Sequence, residues 1–486
     1  MSRLPSGLAT ESAYQEAIRS LLERINYEKV GHAPYSTTHY RLDRMRRVLS
    51  QLGDPHLAVP VIHVAGTKGK GSTATFLSSL LTAAGFRTGL YTSPHLLRLE
   101  ERFRIDNQPA SSQQLVQLVH DASQAADAVE RDGGGRATFF ELTTAIAFLY
   151  FAQMRTQAVV LEVGLGGRLD STNVCQPCLC IITSIGLDHQ AQLGNTITQI
   201  AGEKAGIIKT GVPVICSARH PDARQTIARM AEAHNAPLQL IERDFDCSWQ
   251  TLPTTQPPAI TSQKQMAEQQ PVVAEILYQP HYTPSLFPNR HWPVALLGPH
   301  QADNLSAALC AVDALIRQGW SIPLEPLPKA VATTVVPARL QVVGHAPWRL
   351  IDCAHNPDSI AATLAALDQH FPHARRTLIL ATSRDKDTPS MLRLLAGRCD
   401  KLIVTQYHNN PRGLPIPEIL AAAQQALPDN TVLCSSAPSP VKAWQQALNS
   451  ASESEVICAT GSFFQAAELL ESVENSVEKS MDNSDN

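Results

Sequence analysis

Gly66-Thr67-Lys68-Gly69-Lys70-Gly71-Ser72 combines three glycines, two lysines and two hydroxyls directly after the mainly apolar run Val61 to Ala65. Such a turn can fold backbone N–H groups around an anion, and a helix starting behind it adds the positive end of its dipole. Residues 74–84 carry that helical pattern. In this reading Gly66, Thr67, Lys68, Gly69, Lys70, Gly71, Ser72 and Thr73 cradle nucleotide phosphates. Lys70 reaches the terminal phosphates, and Ser72 or Thr73 orients them or a metal. The spacing is shorter than G-x-x-x-x-G-K-[ST], and a Gly-rich strand-to-helix turn without ligand is the alternative.

Three further groups suit the same chemistry. Ser93, in Tyr91-Thr92-Ser93-Pro94-His95, follows a short strand, at the edge where α/β enzymes present ligand-binding residues. Glu162 ends the apolar run 158–161, where a carboxylate can hold hydrated Mg²⁺ beside phosphate. His189, after Asp188, is a third candidate metal contact, or it orients water. The ordinary alternatives are a turn cap for Ser93, a solvated strand end for Glu162 and a packed imidazole for His189.

The elements that must position these residues alternate strand and helix. Residues 12–28 form an apolar stripe of Tyr14, Ile18, Leu21, Leu22 and Ile25 at helical spacing. Strands are expected at 59–65, 86–91, 158–161 and 181–185, with helices at 138–152 and from 192 to 202. Residues 248–293, rich in Pro, Gln, Thr and Tyr, read as an insertion or irregular hairpin region. Alternation resumes with helices at 303–317 and 358–369 and strands at 349–352, 376–381 and 401–405. The expected fold is α/β: an amino-terminal P-loop nucleotide-binding domain with a mostly parallel sheet over 1–297, then a second, smaller α/β domain over 298–470. An acidic, mobile tail is expected over 471–486, although its first part could extend a helix.

Composition removes other classes. The formal charge of -4 gives no reason to expect a nucleic-acid partner. No uninterrupted apolar stretch reaches membrane-spanning length, and no basic segment feeds an apolar run at the start. Ten cysteines include the close group Cys175, Cys178 and Cys180, without a second close pair at zinc spacing. Local packing is the favoured role for them, and a reduced cytoplasmic protein the favoured setting.

The ordered motifs carry a more specific resemblance. Gly66 to Ser72, Thr92 to His95, Glu162 to Asp170, Gly186 to His189 and Glu203 to Ile207 resemble the folylpolyglutamate synthase/dihydrofolate synthase family. His300-Gln301, Asp303-Asn304 and Asp352-Cys353-Ala354-His355-Asn356-Pro357 continue the match, which covers roughly residues 12 to 465. A broader relation links that family to bacterial cell-wall peptide ligases. The resemblance implies ATP on the 66–73 loop, metal-site positions at Ser93, Glu162 and His189, and a carbamylated lysine at Lys204. It further implies nucleotide contacts from Asn304, phosphate binding by Arg339, ribose binding by Asp352 and a cleft-lining His355. Lys70, His189 and Lys204 are the catalytic candidates. Two positions depart from the family pattern: Lys68 stands where Asn is common, adding charge near the nucleotide, and Cys353 where Gly is usual.

The implied reaction joins L-glutamate to dihydropteroate, to a reduced folate, or to both, with ATP and Mg²⁺, in a monomer. Phe139-Phe140-Glu141 resembles a substrate-side region, with packing as the equal alternative for Glu141. A cell-wall amino-acid ligase is the nearest alternative enzyme. About sixty residues precede the loop, little space for a domain gripping a nucleotide-linked sugar. A catalytically silent ATP-binding protein is the other alternative.

Overall fold

The computed structural model describes residues 11–26, 42–252, 272–281, 287, 290–427 and 432–482. The chain forms two compact units: Met1–Cys247 with Tyr278–Arg290 and Asp303–Leu327, and Ser248–Leu277 with His291–Ala302 and Pro328–Asn486.

The first unit is built on eight strands: β1 (Val61–Ala65), β2 (Thr88–Tyr91), β3 (Phe103–Ile105), β4 (Gln108–Pro109), β5 (Ala158–Glu162), β6 (Pro177–Ile182), β7 (Val214–Cys216) and β8 (Leu238–Leu240). Their order is β4-β3-β2-β5-β1-β6-β7-β8. The run from β2 to β8 is parallel, while β3 and β4 add an antiparallel edge. β1 and β5 are buried along their whole length, as expected for strands covered on both faces. One cover contains the helices Leu42–Gln51, Ser112–Val129 and Phe139–Gln153, the other Ile197–Ala205 and Pro221–Ala233. The helix Phe139–Gln153 is apolar nearly all round and buried accordingly.

Three strands, β9 (Phe245–Thr251), β10 (Ala274–Pro280) and β11 (Arg290–Val294), form a separate sheet in the order β11-β10-β9. The region read as an insertion or irregular hairpin thus contributes these three paired strands, while 253–271, 282–286 and 288–289 fall outside the described residues. The second unit adds β12 (Gln341–Gly344), β13 (Trp348–Ile351), β14 (Arg376–Leu380), β15 (Lys401–Val404), β16 (Leu433–Ser436) and β17 (Val456–Thr460). Their order is β12-β13-β17-β14-β15-β16, antiparallel between β12 and β13 and parallel elsewhere.

Several expectations shift in detail. The first helix ends at Leu22, and Leu22 and Ile25 are exposed, so the apolar stripe is shorter than the spacing suggested; 27–28 lie outside the described residues. β6 stops at Ile182, and the next residues bond the glycine loop: the Thr183 and Ser184 hydroxyls donate to Lys68 O, and Ser184 O accepts from Thr67 N–H. The helix expected over 192–202 is two helices, Gln190–Leu193 and Ile197–Ala205. Gly194 closes the first, and a Thr196/Gln199 capping box opens the second. At the carboxyl end one helix, Phe463–Asp482, extends into the 471–486 tail, further than the first part for which the sequence allowed it; 483–486 lie outside the described residues.

Candidate functional site

β1 lies between β5 and β6, so its carboxyl end delivers residues 66–71 to the middle of the sheet edge. Gly66 and Gly69 are dictated by space and conformation. Gly66 has φ +152, and a Cβ there would lie 1.8 Å from Thr183 Oγ1. Gly69, at φ +84, would place one 2.1 Å from Asn304 Oδ1. The helix Lys70–Ala83 starts at once behind this turn, so its first-turn N–H groups face the loop region. Asn304 is thus seated against the loop, and it is buried. Ser72 and Thr73 are buried as well, and the Thr73 hydroxyl has no hydrogen-bond partner.

β5 ends in Glu162, which is 5 % exposed. Its Oε2 accepts the backbone N–H of Ser93 at 3.1 Å, and both oxygens lie 3.6 Å from where a side chain on Gly71 would begin. The carboxylate therefore faces the loop, with Ser93 beside it.

Cations crowd the same place. Lys204 Nζ donates to Gly66 O at 2.8 Å, and Lys70 Nζ to the same oxygen at 3.2 Å. Burial lowers the Lys204 pKa well below the ordinary lysine value, with Lys70 pushing the same way. Burial also lowers the Lys70 pKa, which the Glu162 charge opposes. His189 is pushed below the usual imidazole value by desolvation, against the pull of Asp188, with Lys70, Lys204 and Lys68 adding to the fall. The extra charge expected from Lys68 is already matched: its ammonium lies 2.7 Å from Asp188 Oδ2.

Some supporting residues carried no assigned role in the sequence. Asp170 is buried and accepts the N–H groups of Leu165 and Thr172, holding the glycine-rich turn after β5. Thr172 also meets His63, a wholly buried imidazole, at 2.9 Å. Asp170 sits in a quoted motif, so its carboxylate in a Gly-rich turn was the available signal. His63 offered no periodic clue. Glu141 caps its helix through Thr138 and takes a bidentate bond from buried Arg44, the geometry of a packing role.

In the second unit, Asp352 follows β13. Its Oδ1 accepts from Leu340 N–H at 3.2 Å, and its Oδ2 accepts from Ala354 N–H at 3.1 Å, Thr363 Oγ1 at 2.7 Å and Thr460 Oγ1 at 3.2 Å. Arg339 lies in the turn that Asp352 ties down, with Ala338 and Leu340 at positive φ on either side. The Arg339 guanidinium sits 5.1 Å from the Phe463 ring centre, and the His355 ring 5.5 Å from the same ring. Phe463 was missed because nothing in sequence ties it to positions more than a hundred residues earlier. Buried Cys353 offers its carbonyl to His355 Nδ1 at 2.9 Å.

All ten cysteines are free thiols, and burial raises Cys175 to about 12. Among the described residues no three His, Cys, Asp or Glu side chains form a cluster able to hold a metal, and no helix is long and apolar enough to cross a membrane.

Fold and site together define a ligase class: residues 64–312 match the Mur ligase middle domain and residues 338–463 the Mur ligase glutamate ligase domain. A dihydrofolate synthase/folylpolyglutamate synthase of Bacillus subtilis is 34 % identical over 387 residues, covering 79 % of this chain and 83 % of its own. The folylpolyglutamate synthase of Lacticaseibacillus casei is 31 % identical over 436 residues, 88 % of this chain and 94 % of that one. The chain belongs to the Mur-ligase-related folylpolyglutamate/dihydrofolate synthase family. Among solved structures, Mycobacterium tuberculosis folylpolyglutamate synthase complexed with ADP and AMPPCP matches with a TM-score of 0.80 at 27 % identity, over 95 % of this chain and 98 % of that one. Escherichia coli FolC in complex with DHPP and ADP matches with a TM-score of 0.77 at 26 % identity, over 97 % and 100 %.

Proposed function

We propose that this protein joins L-glutamate to dihydropteroate, to reduced folates, or to both, with ATP becoming ADP and phosphate. Family membership supports the reaction class. The single structural observation carrying it is the gathering of the 66–72 loop, Glu162, Ser93, buried Lys204 and half-buried Lys70 at one sheet edge.

A free carboxylate is a poor acyl donor, so the pterin-linked carboxylate must first be activated. Its oxygen attacks the γ-phosphorus, ADP leaves, and an acyl phosphate forms. The glutamate amine then attacks the acyl carbon, releases phosphate and loses a proton as the amide forms. In this proposal the 66–72 backbone and the helix end behind it hold the phosphates, and Lys70 exchanges Gly66 O for the transferring group. Asn304 contacts the nucleotide beside Gly69. Arg339 takes a phosphate role, and Asp352 and His355 take ribose and cleft roles, on family resemblance.

Glu162 facing the loop with Ser93 beside it supports a Mg²⁺ site there, since Mg²⁺ needs few protein ligands when water and phosphate supply the rest. Glu162, Ser93 and His189 would hold it. When bound, it would neutralise charge on the phosphates. Carbamylation of Lys204 belongs to the same proposal. The depressed pKa supports it, because an uncharged amine has the lone pair that attacks CO₂. A cytoplasmic setting suits the ten free thiols.

The test is an assay of the purified chain with ATP, Mg²⁺ and L-glutamate, offering dihydropteroate and tetrahydrofolate separately. Glutamate addition to either supports the reading, and to both makes the enzyme bifunctional. ATP binding without substrate-dependent ADP formation would contradict it.

A further inference from the structure

Lys68, the position where this loop departs from the family's common Asn, is tied to a specific partner. Its Nζ lies 2.7 Å from Asp188 Oδ2, while Asp188 Oδ1 accepts the backbone N–H of His189 at 2.9 Å. One carboxylate thus links a side chain of the glycine loop to the backbone of a proposed metal contact. His189 sits at φ 50 and ψ 40, a left-handed conformation disfavoured for a residue with a Cβ. Its backbone therefore needs support from outside.

The same two segments are stitched together at several other points. Thr67 N–H donates to Ser184 O at 2.7 Å, and the Thr67 hydroxyl bonds both Gly186 O and Gly186 N–H. Thr183 and Ser184 hydroxyls donate to Lys68 O at 2.8 and 3.0 Å. These bonds hold the joint as far as Gly186, and the Lys68–Asp188 pair extends it to the residue before His189. An Asn at position 68 is shorter and uncharged, and could not make this ion pair.

We infer that Lys68 is a positioning residue which, paired with Asp188, fixes His189 against the loop and thereby sets the Mg²⁺-dependent part of nucleotide binding. The inference rests on the proposed reading of 66–72 as the phosphate loop. Lys68 and Asp188 side chains keep 38 % and 22 % of their surface exposed, so the effect is a few-fold one.

The test is calorimetric titration of the full-length protein with ADP, in Mg²⁺ and separately in EDTA. Lys68→Met and Asp188→Asn should each weaken binding in Mg²⁺ about 3- to 5-fold, with a much smaller change in EDTA. The double variant should be no weaker than the weaker single, because the two act as one unit. Lys68→Arg, which keeps the charge, should restore binding to within about twofold. An equal loss in EDTA would make Lys68 a direct phosphate contact and overturn the inference. Additive losses, or unchanged binding in the variants, would overturn it too. Wild-type protein without Mg²⁺-dependent ADP binding would bring down the proposed function and this inference together.

Discussion

Two buried carboxylates, Glu162 and Asp352, stand at strand ends in the two units, and their surroundings differ in kind. Glu162 ends β5 beside Lys70, whose pKa it supports against burial. Asp352 follows β13 and accepts four hydrogen bonds, two from backbone N–H groups and two from threonines. A carboxylate beside a cation can rebalance its partners when a charged ligand arrives. One with four fixed donors has spent its acceptor capacity on shape. The contrast assigns charge handling to the edge of the first sheet. It assigns to Asp352 the task of holding the Arg339 turn, beside its proposed ribose contact.

The largest effect should come from breaking the first environment. Lys70→Ala and Glu162→Gln should each lower kcat/KM for amide formation about 10²- to 10³-fold, the range seen when one electrostatic stabiliser is removed. Melting temperature should move little, and full activity in either variant would refute its assigned role. Breaking the second environment should do the reverse. Asp352→Ala strands several buried donors, so denaturation should report a loss of about 3 kcal/mol. Unchanged stability with sharply weakened nucleotide binding would instead make ribose its main partner.

Acid should act on both units, since each hides an imidazole. Burial lowers His63 to about 3 and His370 to about 4. Between those values and 6.5 the unfolded chain binds more protons than the folded one. Stability is therefore complete above pH 6.5 and falls as pH drops through this window. The His63 share should be about 2 kcal/mol by pH 5. Denaturant titrations from pH 7 to 5 should show a shallower loss for His63→Gln, and an unchanged slope would contradict the assignment. The smallest effect should be at Phe463, whose ring supports Arg339 and His355. Phe463→Ala should weaken nucleotide binding about 3- to 5-fold, the scale of one cation–π contact, with Phe463→Tyr near wild type.

The legible parts of this molecule were those written locally. The Gly/Lys/hydroxyl spacing of 66–72 and the apolar runs before it and before Glu162 located the loop and its strands, because strand, turn and helix follow one another directly there. β9 to β11 were obscured by a composition rich in Pro and Gln, and β6 was displaced because Thr183 and Ser184 bond across to the loop rather than extend the strand. Partnerships between distant residues were not legible. Lys68 pairs with a residue 120 positions away, and Phe463 serves two residues brought near by the second sheet. The motifs named Asp188 and Asp170 without revealing what their carboxylates hold.

In the proposed reaction this sheet edge activates a pterin-linked carboxylate for attack by glutamate. Product-resolved mass spectrometry with purified enzyme, ATP, Mg²⁺ and L-glutamate tests it most directly, with dihydropteroate and tetrahydrofolate offered separately and controls lacking ATP. An ATP-dependent gain of one or more glutamyl residues on at least one of the two is the expected result. A folded enzyme that binds ATP and adds glutamate to neither would contradict it.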